Sequence, residues 1–330
     1  MSFNLLTGQH ELRRALGYML SENKLSHATL LTGPSGSGKK SWGEGLAQGI
    51  LCDEPGIEGA CMQCASCRLF VSGNHPEYYF IQPTGRSIKI EQIRSLKKSI
   101  YLAGDKKVCL IEQAETMTAE ACSSLLKILE EPPAGLHFIL LAEHPRMLFD
   151  TILSRCQAYT LQPLKQEEIE GLLSSKKGLT GEKVSFIARI SGGLPGYALE
   201  LTEDEQLEER FEKAGALADQ LNAGSLPANR ILSWAENLSE RNDLFPFLEL
   251  LCLFYRDGLI YNLCTEEKFL IYPGPVGKDI GYKASAQTAE EVIILINSVI
   301  HELITTNVNR RLLLEKMLIL MQRRLKQCPG

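Results

Sequence analysis

The sequence predicts an α/β sheet domain followed by helical segments, and three observations carry that reading. A glycine-rich loop lies between a strand-like and a helix-like stretch near the N-terminus. Short apolar strands then alternate with helical patterns as far as about Leu161. From about Glu200 only long Leu/Ile-rich helical periodicities remain. A chain of 330 residues also exceeds what one small core holds. The expected boundaries are 1–161 for the sheet domain, 162–204 for a small helical domain and 205–330 for a larger one.

The first strand is ATLLT, Ala28 to Thr32, and the first helix after it is Lys39 to Leu51. Between them GPSGSGKKS, Gly33 to Ser41, is written as a phosphate loop. Such a loop needs both flanks, because the helix presents free backbone N–H groups and a favourable dipole to phosphate. Gly33, Gly36 and Gly38 permit the tight path, and Lys39 is placed to reach outer phosphates. Lys40 breaks the pattern by standing where the loop puts its magnesium-binding hydroxyl. Ser41 is a displaced substitute, but one step along a helix turns a side chain by about 100°. A Gly/Ser-rich turn is the plain alternative. The expected nucleotide site comprises Gly33, Gly36, Ser37, Gly38, Lys39, Lys40, Ser41 and Glu112, with ATP or ADP as its ligand.

Glu112 enters because a partner acid should end a later strand. In KVCLIEQAE, Lys107 to Glu115, it is the metal-side residue, while Gln113 occupies the place of a water-orienting carboxylate and cannot act as a general base. Glu115 stays open between catalysis and a helix cap.

Cys52, Cys61, Cys64 and Cys67 form C-x8-C-x2-C-x2-C directly after the loop helix. Four thiolates so closely spaced can close a tetrahedral Zn²⁺ site and fold an insert, about residues 52–67, that has too little core of its own. Spacing alone leaves an iron–sulfur cluster open. Buried free thiols are the plain alternative. With no His or carboxylate required as a ligand, the metal is expected to be structural. His75, in GNHP, reads as a cap or surface residue.

Farther on, Ile88 to Ala103 and Thr118 to Glu131 read as helices, the second stopped by Pro132 and Pro133. Val108 to Glu112 and His137 to Ala142 read as strands, in a mostly parallel sheet with its ligand crevice at the carboxyl ends. In the last third, Trp234 to Gly258, Ala289 to Leu303 and Arg311 to Leu325 read as helices whose apolar stripes form core.

The balance of 35 Lys plus Arg against 40 Asp plus Glu argues against a basic wrapper of nucleic acid, though local phosphate contacts remain open. No apolar run approaches a membrane span, and MSFNLL lacks the regions of a secretory signal. A cytoplasmic protein is expected, and its ten cysteines fit a reducing compartment.

Taken together, the loop, CMQCASC from Cys61 to Cys67, HPEYY from His75 to Tyr79, SLLKILEEPP from Ser124 to Pro133 and LSRC from Leu153 to Cys156 resemble the delta-prime family of bacterial DNA polymerase III clamp-loader subunits, within the AAA+ group. The resemblance spans most of residues 1–200. It implies an AAA+ module, a helical lid over 162–204 and a collar over 205–330. It implies as partners the delta subunit and ATP-hydrolysing gamma or tau subunits, with the sliding clamp and primed DNA engaged through the assembly. It also implies that Arg155 reaches into a neighbour's ATP site as a trans-acting arginine finger; a lone arginine after a strand would otherwise be a surface or capping residue.

Departures from active members accompany the match: Lys40, Gln113, Ala142 in place of a polar sensor, and Pro195 in place of the second-sensor arginine. The resemblance therefore implies a stator-like subunit that does not hydrolyse ATP efficiently. Two other readings are an ATP-hydrolysing gamma/tau-like subunit or other remodelling ATPase, and a zinc-containing nucleic-acid-binding module.

Overall fold

The computed structural model describes residue 3 and residues 6–101, 104–224, 226–264, 270–271, 284–306 and 308–326. The chain divides into two compact units, residues 1–200 and 201–330.

The first unit is built on a five-stranded sheet in the order β2-β3-β4-β1-β5. Its strands are β1 (Ala28–Thr32), β2 (Tyr78–Ile81), β3 (Lys107–Ile111), β4 (Leu136–Ala142) and β5 (Gln157–Thr160), and every pairing is parallel. Parallel strands need crossovers that cover both faces, so central strands must be apolar on both sides. β1 and β3 are accordingly buried at all five positions.

Alternation along these strands sorts the core into two layers. Leu30, Cys109, Ile111, Phe138 and Leu140 pack on one face. That layer is closed by α4 (Ile90–Ile100), α5 (Ala119–Glu130) and α6 (Asp150–Leu153). Leu31, Val108, Leu110, Ile139 and Leu141 pack on the other, against α1 (His10–Ser21) and α2 (Lys39–Leu51). A short α3 (Ala65–Val71) belongs to the cysteine insert. After β5 come α7 (Gln166–Lys177), α8 (Glu182–Ile190) and α9 (Pro195–Thr202).

Among its described residues the second unit contains helices and no strand: α10 (Leu207–Asn222), α11 (Ala228–Ser239), α12 (Leu244–Cys264), α13 (Ala286–Thr305) and α14 (Arg310–Lys326). Phe247, Leu251, Tyr255, Ile296, Leu314 and Met317 are among its fully buried side chains. The stretch Trp234–Gly258, expected as one helix, is two. α11 stops at Ser239, and the polar turn Glu240–Asp243 intervenes. There Asp243 accepts hydrogen bonds from Arg241 (2.8 Å) and from the buried Arg210 (2.6 Å), which also binds Asp204. Among the described residues no helix is long and apolar enough to cross a membrane.

Candidate nucleotide, finger and metal sites

The carboxyl ends of the strands carry the loop. Gly33, Gly36 and Gly38 all adopt positive φ, conformations that glycine reaches without penalty, and α2 begins at Lys39 as the motif requires. The loop is nevertheless closed on itself. Lys39 Nζ donates to the carbonyl oxygens of Gly33 (2.7 Å) and Pro34 (2.8 Å) and lies 3.6 Å from Glu143. Burial pushes its pKa down, a trend that Glu143 opposes.

The N-terminus of α9 sits on the loop. Gly196 N–H donates to Gly36 O at 2.7 Å, and a Cβ on Gly196 would come within 3.0 Å of the Gly36 backbone. The pocket left there, bordered by Ser37, Gly38, Ser41, Trp42, Leu172 and Pro195, holds about 90 Å³. Pockets for drug-sized ligands run from roughly 300 Å³ upward. Ser37 Oγ is buried and finds no hydrogen-bond partner among the described residues.

Lys40 and Ser41 diverge as the helical step demands, since Ser41 borders the pocket while Lys40 turns toward β3. Lys40 Nζ pairs with Glu112 Oε2 at 3.0 Å and lies 4.7 Å from the centre of the Phe80 ring. An ammonium thus neutralises the acid that the sequence reading expects on the metal side. Burial raises the pKa of Glu44 on the same helix, with Lys40 opposing and Glu112 adding to the shift.

Gln113 is exposed and left-handed (φ 51°), and Glu115 is a structural tie. Its Oε1 accepts from the backbone N–H groups of Glu143 (2.8 Å) and His144 (3.4 Å), pinning the end of β4. Ala142 ends that strand buried and apolar, and Pro195 opens α9.

Arg155 follows α6, in a turn where Ile152 and Cys156 pack into the core while Ser154 and Arg155 face outward. Its guanidinium donates to Glu130 Oε1 (2.7 Å), to Thr151 O (2.9 Å) and to Ser154 Oγ (3.4 Å). None of these contacts involves this chain's own loop or Glu112. Burial lifts the neighbouring Cys156 thiol to about 11, as expected of an inert core thiol.

The four cysteines come together as their spacing requires. Cys52 ends α2, Cys64 caps α3, and all four Sγ atoms lie within 4.8 Å of one another. Sγ–Sγ separations of 3.9 Å (Cys52–Cys64) and 4.0 Å (Cys61–Cys67) match the edge of a tetrahedron, about 3.8 Å for Zn–S bonds near 2.3 Å. Backbone N–H groups of Cys61, Cys64 and Cys67 point at the preceding cysteines' sulfurs (3.3, 3.4 and 3.3 Å), while burial pushes the Cys52 thiol up. Hydrogen bonds from the Gln63 and Cys64 backbones bring Cys61 down to about 7. The donor set fits a thiolate-bound metal.

His75 is not among the ligands. Its Nδ1 accepts from Glu77 N–H (3.2 Å), so the ring proton sits on Nε2 and donates to Ser66 Oγ (2.9 Å), which donates to Leu51 O (2.6 Å). The histidine ties the insert to the start of β2, in keeping with its expected capping role. Sequence reasoning missed Glu143 and Glu130. An acid directly after a strand at the carboxyl end of the sheet was a readable signal for Glu143, whereas Glu130 is 25 residues from Arg155 and carries no local mark.

The family described as DNA polymerase III, delta subunit, matches residues 8–165. The chain is 32% identical over 321 residues to DNA polymerase III subunit delta' of Bacillus subtilis, covering 95% of this chain and 96% of that protein. Against the delta' subunit of Pseudomonas aeruginosa it is 35% identical over 194 residues, 57% of this chain and 59% of the relative. The tau subunit of Bacillus subtilis is also similar, at 25% over 332 residues, but this chain spans only 59% of it. Full-length likeness at the higher identity goes to delta', and the chain belongs to the delta' subunit family of DNA polymerase III.

Proposed function

We propose that this chain is the stator-like delta' subunit of a replicative clamp loader, which acts on ATP held by a neighbouring subunit and does not turn over its own. One contrast supports the reading. The phosphate loop's Lys39 is 11% exposed and spent on its own loop's carbonyls, whereas Arg155 is 34% exposed and paired with a half-exposed carboxylate on a surface away from that loop. A fixed guanidinium stabilises charge on a transferring phosphoryl group. Lys40, Ala142 and Pro195 supply neither a metal-binding hydroxyl nor a polar group to a γ-phosphate. On this reading residues 162–204 are the lid and 205–330 a collar that joins subunits.

The partners are the delta subunit and the gamma or tau ATPases, with the sliding clamp and primed DNA engaged through the assembly in the cytoplasm. The group at Cys52, Cys61, Cys64 and Cys67 is Zn²⁺. Four thiolates close its coordination and leave it a structural part of the insert.

The test is reconstitution of the loader with its ATP-hydrolysing subunits, the sliding clamp and primed DNA. Wild-type and Arg155→Ala chains should assemble equally well, and ATP turnover should fall in the variant. Undiminished turnover in the fully assembled variant would refute the finger role.

A further inference from the structure

The SLLKILEEPP and LSRC segments share one core cluster, and at its surface they are joined by the ion pair of Glu130 and Arg155. We propose that Glu130 is the positioning residue for the Arg155 guanidinium. The inference rests on the reading of Arg155 as a finger acting on a neighbour's ATP.

An arginine side chain turns about several bonds, and catalysis by a charge in trans requires that it be aimed before the phosphate arrives. Both ends of this contact grow from the same core. Glu130 ends α5 directly after the buried Ile128 and Leu129, and Pro132 and Pro133 follow soon after. Arg155 lies between the buried Ile152 and the half-buried Cys156, which pack in the same cluster. The distance between the two backbones is therefore set by packing.

Glu130 takes one Nη2–H at 2.7 Å, while Thr151 O and Ser154 Oγ take Nη1–H groups. Of five guanidinium N–H groups, Nε–H and one Nη2–H have no partner among the described residues. Those donors remain for phosphoryl oxygens. Ser154 Oγ is itself held by donating to Thr151 O at 3.1 Å.

Holding the fold does not explain the pair. Side-chain exposures of 34% for Arg155 and 53% for Glu130 put it among surface ion pairs, which add little stability. Adjacent Glu131 is exposed and forms no ion pair among the described residues, so the structure contains its own control.

The experiment uses the assembled loader and steady-state ATP turnover stimulated by clamp and primed DNA. Glu130→Ala should slow the ATP site that Arg155 serves about tenfold, the scale of a modest misplacement of a catalytic group, and so lower the loader's kcat by less than Arg155→Ala does. KM for ATP and complex assembly should stay at wild-type values. Glu130→Gln retains an acceptor and should recover most of the rate, while Glu131→Ala should be wild type.

Because Glu130 acts through Arg155, Glu130→Ala combined with Arg155→Ala should be no slower than Arg155→Ala alone. A loss from Arg155→Ala without one from Glu130→Ala overturns the positioning role and leaves the finger standing. A faster Glu130→Ala enzyme, or additive losses in the double variant, also overturns it. No loss from Arg155→Ala itself overturns the finger reading beneath both.

Discussion

The phosphate loop and the Arg155 turn lie in the same unit, and both present cations that suit phosphate chemistry, yet they are neutralised in opposite ways. Lys39 is 11% exposed and held by carbonyls of its own loop, with α9 seated against Gly36. Releasing it would leave the carbonyl of the buried Gly33 unpaired, a cost of about 1–3 kcal/mol, while the exposed Pro34 carbonyl can turn to water. Arg155 is held mainly by a half-exposed carboxylate, a contact worth roughly 0–1 kcal/mol. A cation is available to a ligand only when its internal partners are cheap to share. Motif matching sees the charge, and only its surroundings decide its use.

The sharpest way to break this comparison is Arg155→Ala in the assembled loader. The ATP site served by this chain should slow by about 10³-fold, so a pre-steady-state burst should lose that site's share while the mass of the complex is unchanged.

Next comes the cysteine insert, whose order is expected to depend on its metal. Cys64→Ser should release the ion, measured by elemental analysis, and lower the unfolding midpoint by several degrees, because metal-binding energy is folding energy in so small a module.

The node around Arg210 extends the comparison to a buried arginine. Burial opposes ionisation of Asp243, but the Arg241 and Arg210 hydrogen bonds outweigh it and hold the carboxyl at about 2. A carboxyl depressed in the folded state contributes stability above its ordinary pKa near 3.8, and loses it as pH falls through about 2. Acid titration followed by circular dichroism should show the second unit weakening between about pH 4 and pH 2. Asp243→Asn should cost about 2 kcal/mol at neutral pH and flatten that slope. Glu130→Ala should cost under about 0.5 kcal/mol in the same denaturation assay, as befits an exposed pair.

The smallest effect is expected at the loop. Calorimetric titration of Mg-ATP into the isolated, metal-replete chain should show no binding, and Lys39→Ala should be indistinguishable. Binding that Lys39→Ala abolishes would restore the loop as a nucleotide site and with it the ATP-hydrolysing alternative.

Much of the first unit was legible before any coordinates. β1 and α2 occupy the expected residues, and β3, β4 and α5 differ only at their ends. The expected helix Ile88–Ala103 is α4, which begins two residues later because Ile88 is engaged in a bridge to Met117; residues 102 and 103 lie outside the described residues. β2 and β5 were not read as strands. β5 is four residues long and mostly open to solvent, so no apolar run marks it, whereas β2 is a half-buried aromatic run too short to stand out beside the cysteine insert; pairing with β1 or β3 makes each a strand. The break between α11 and α12 was overlooked because apolar periodicity resumes on both sides of a turn that Arg241 and Asp243 stabilise.

By itself the sequence determined what local chemistry can determine: a loop whose glycines take positive φ, the start of α2, and four thiols close enough along the chain to share one ion. Only the tertiary structure decided where the cations point. Lys40 meets Glu112 from 72 residues away, Lys39 meets Glu143 across the sheet end, and Arg155 meets Glu130 from 25. Such pairings follow from strand order and core packing, because a long flexible side chain takes whichever partner the packed backbone brings within reach.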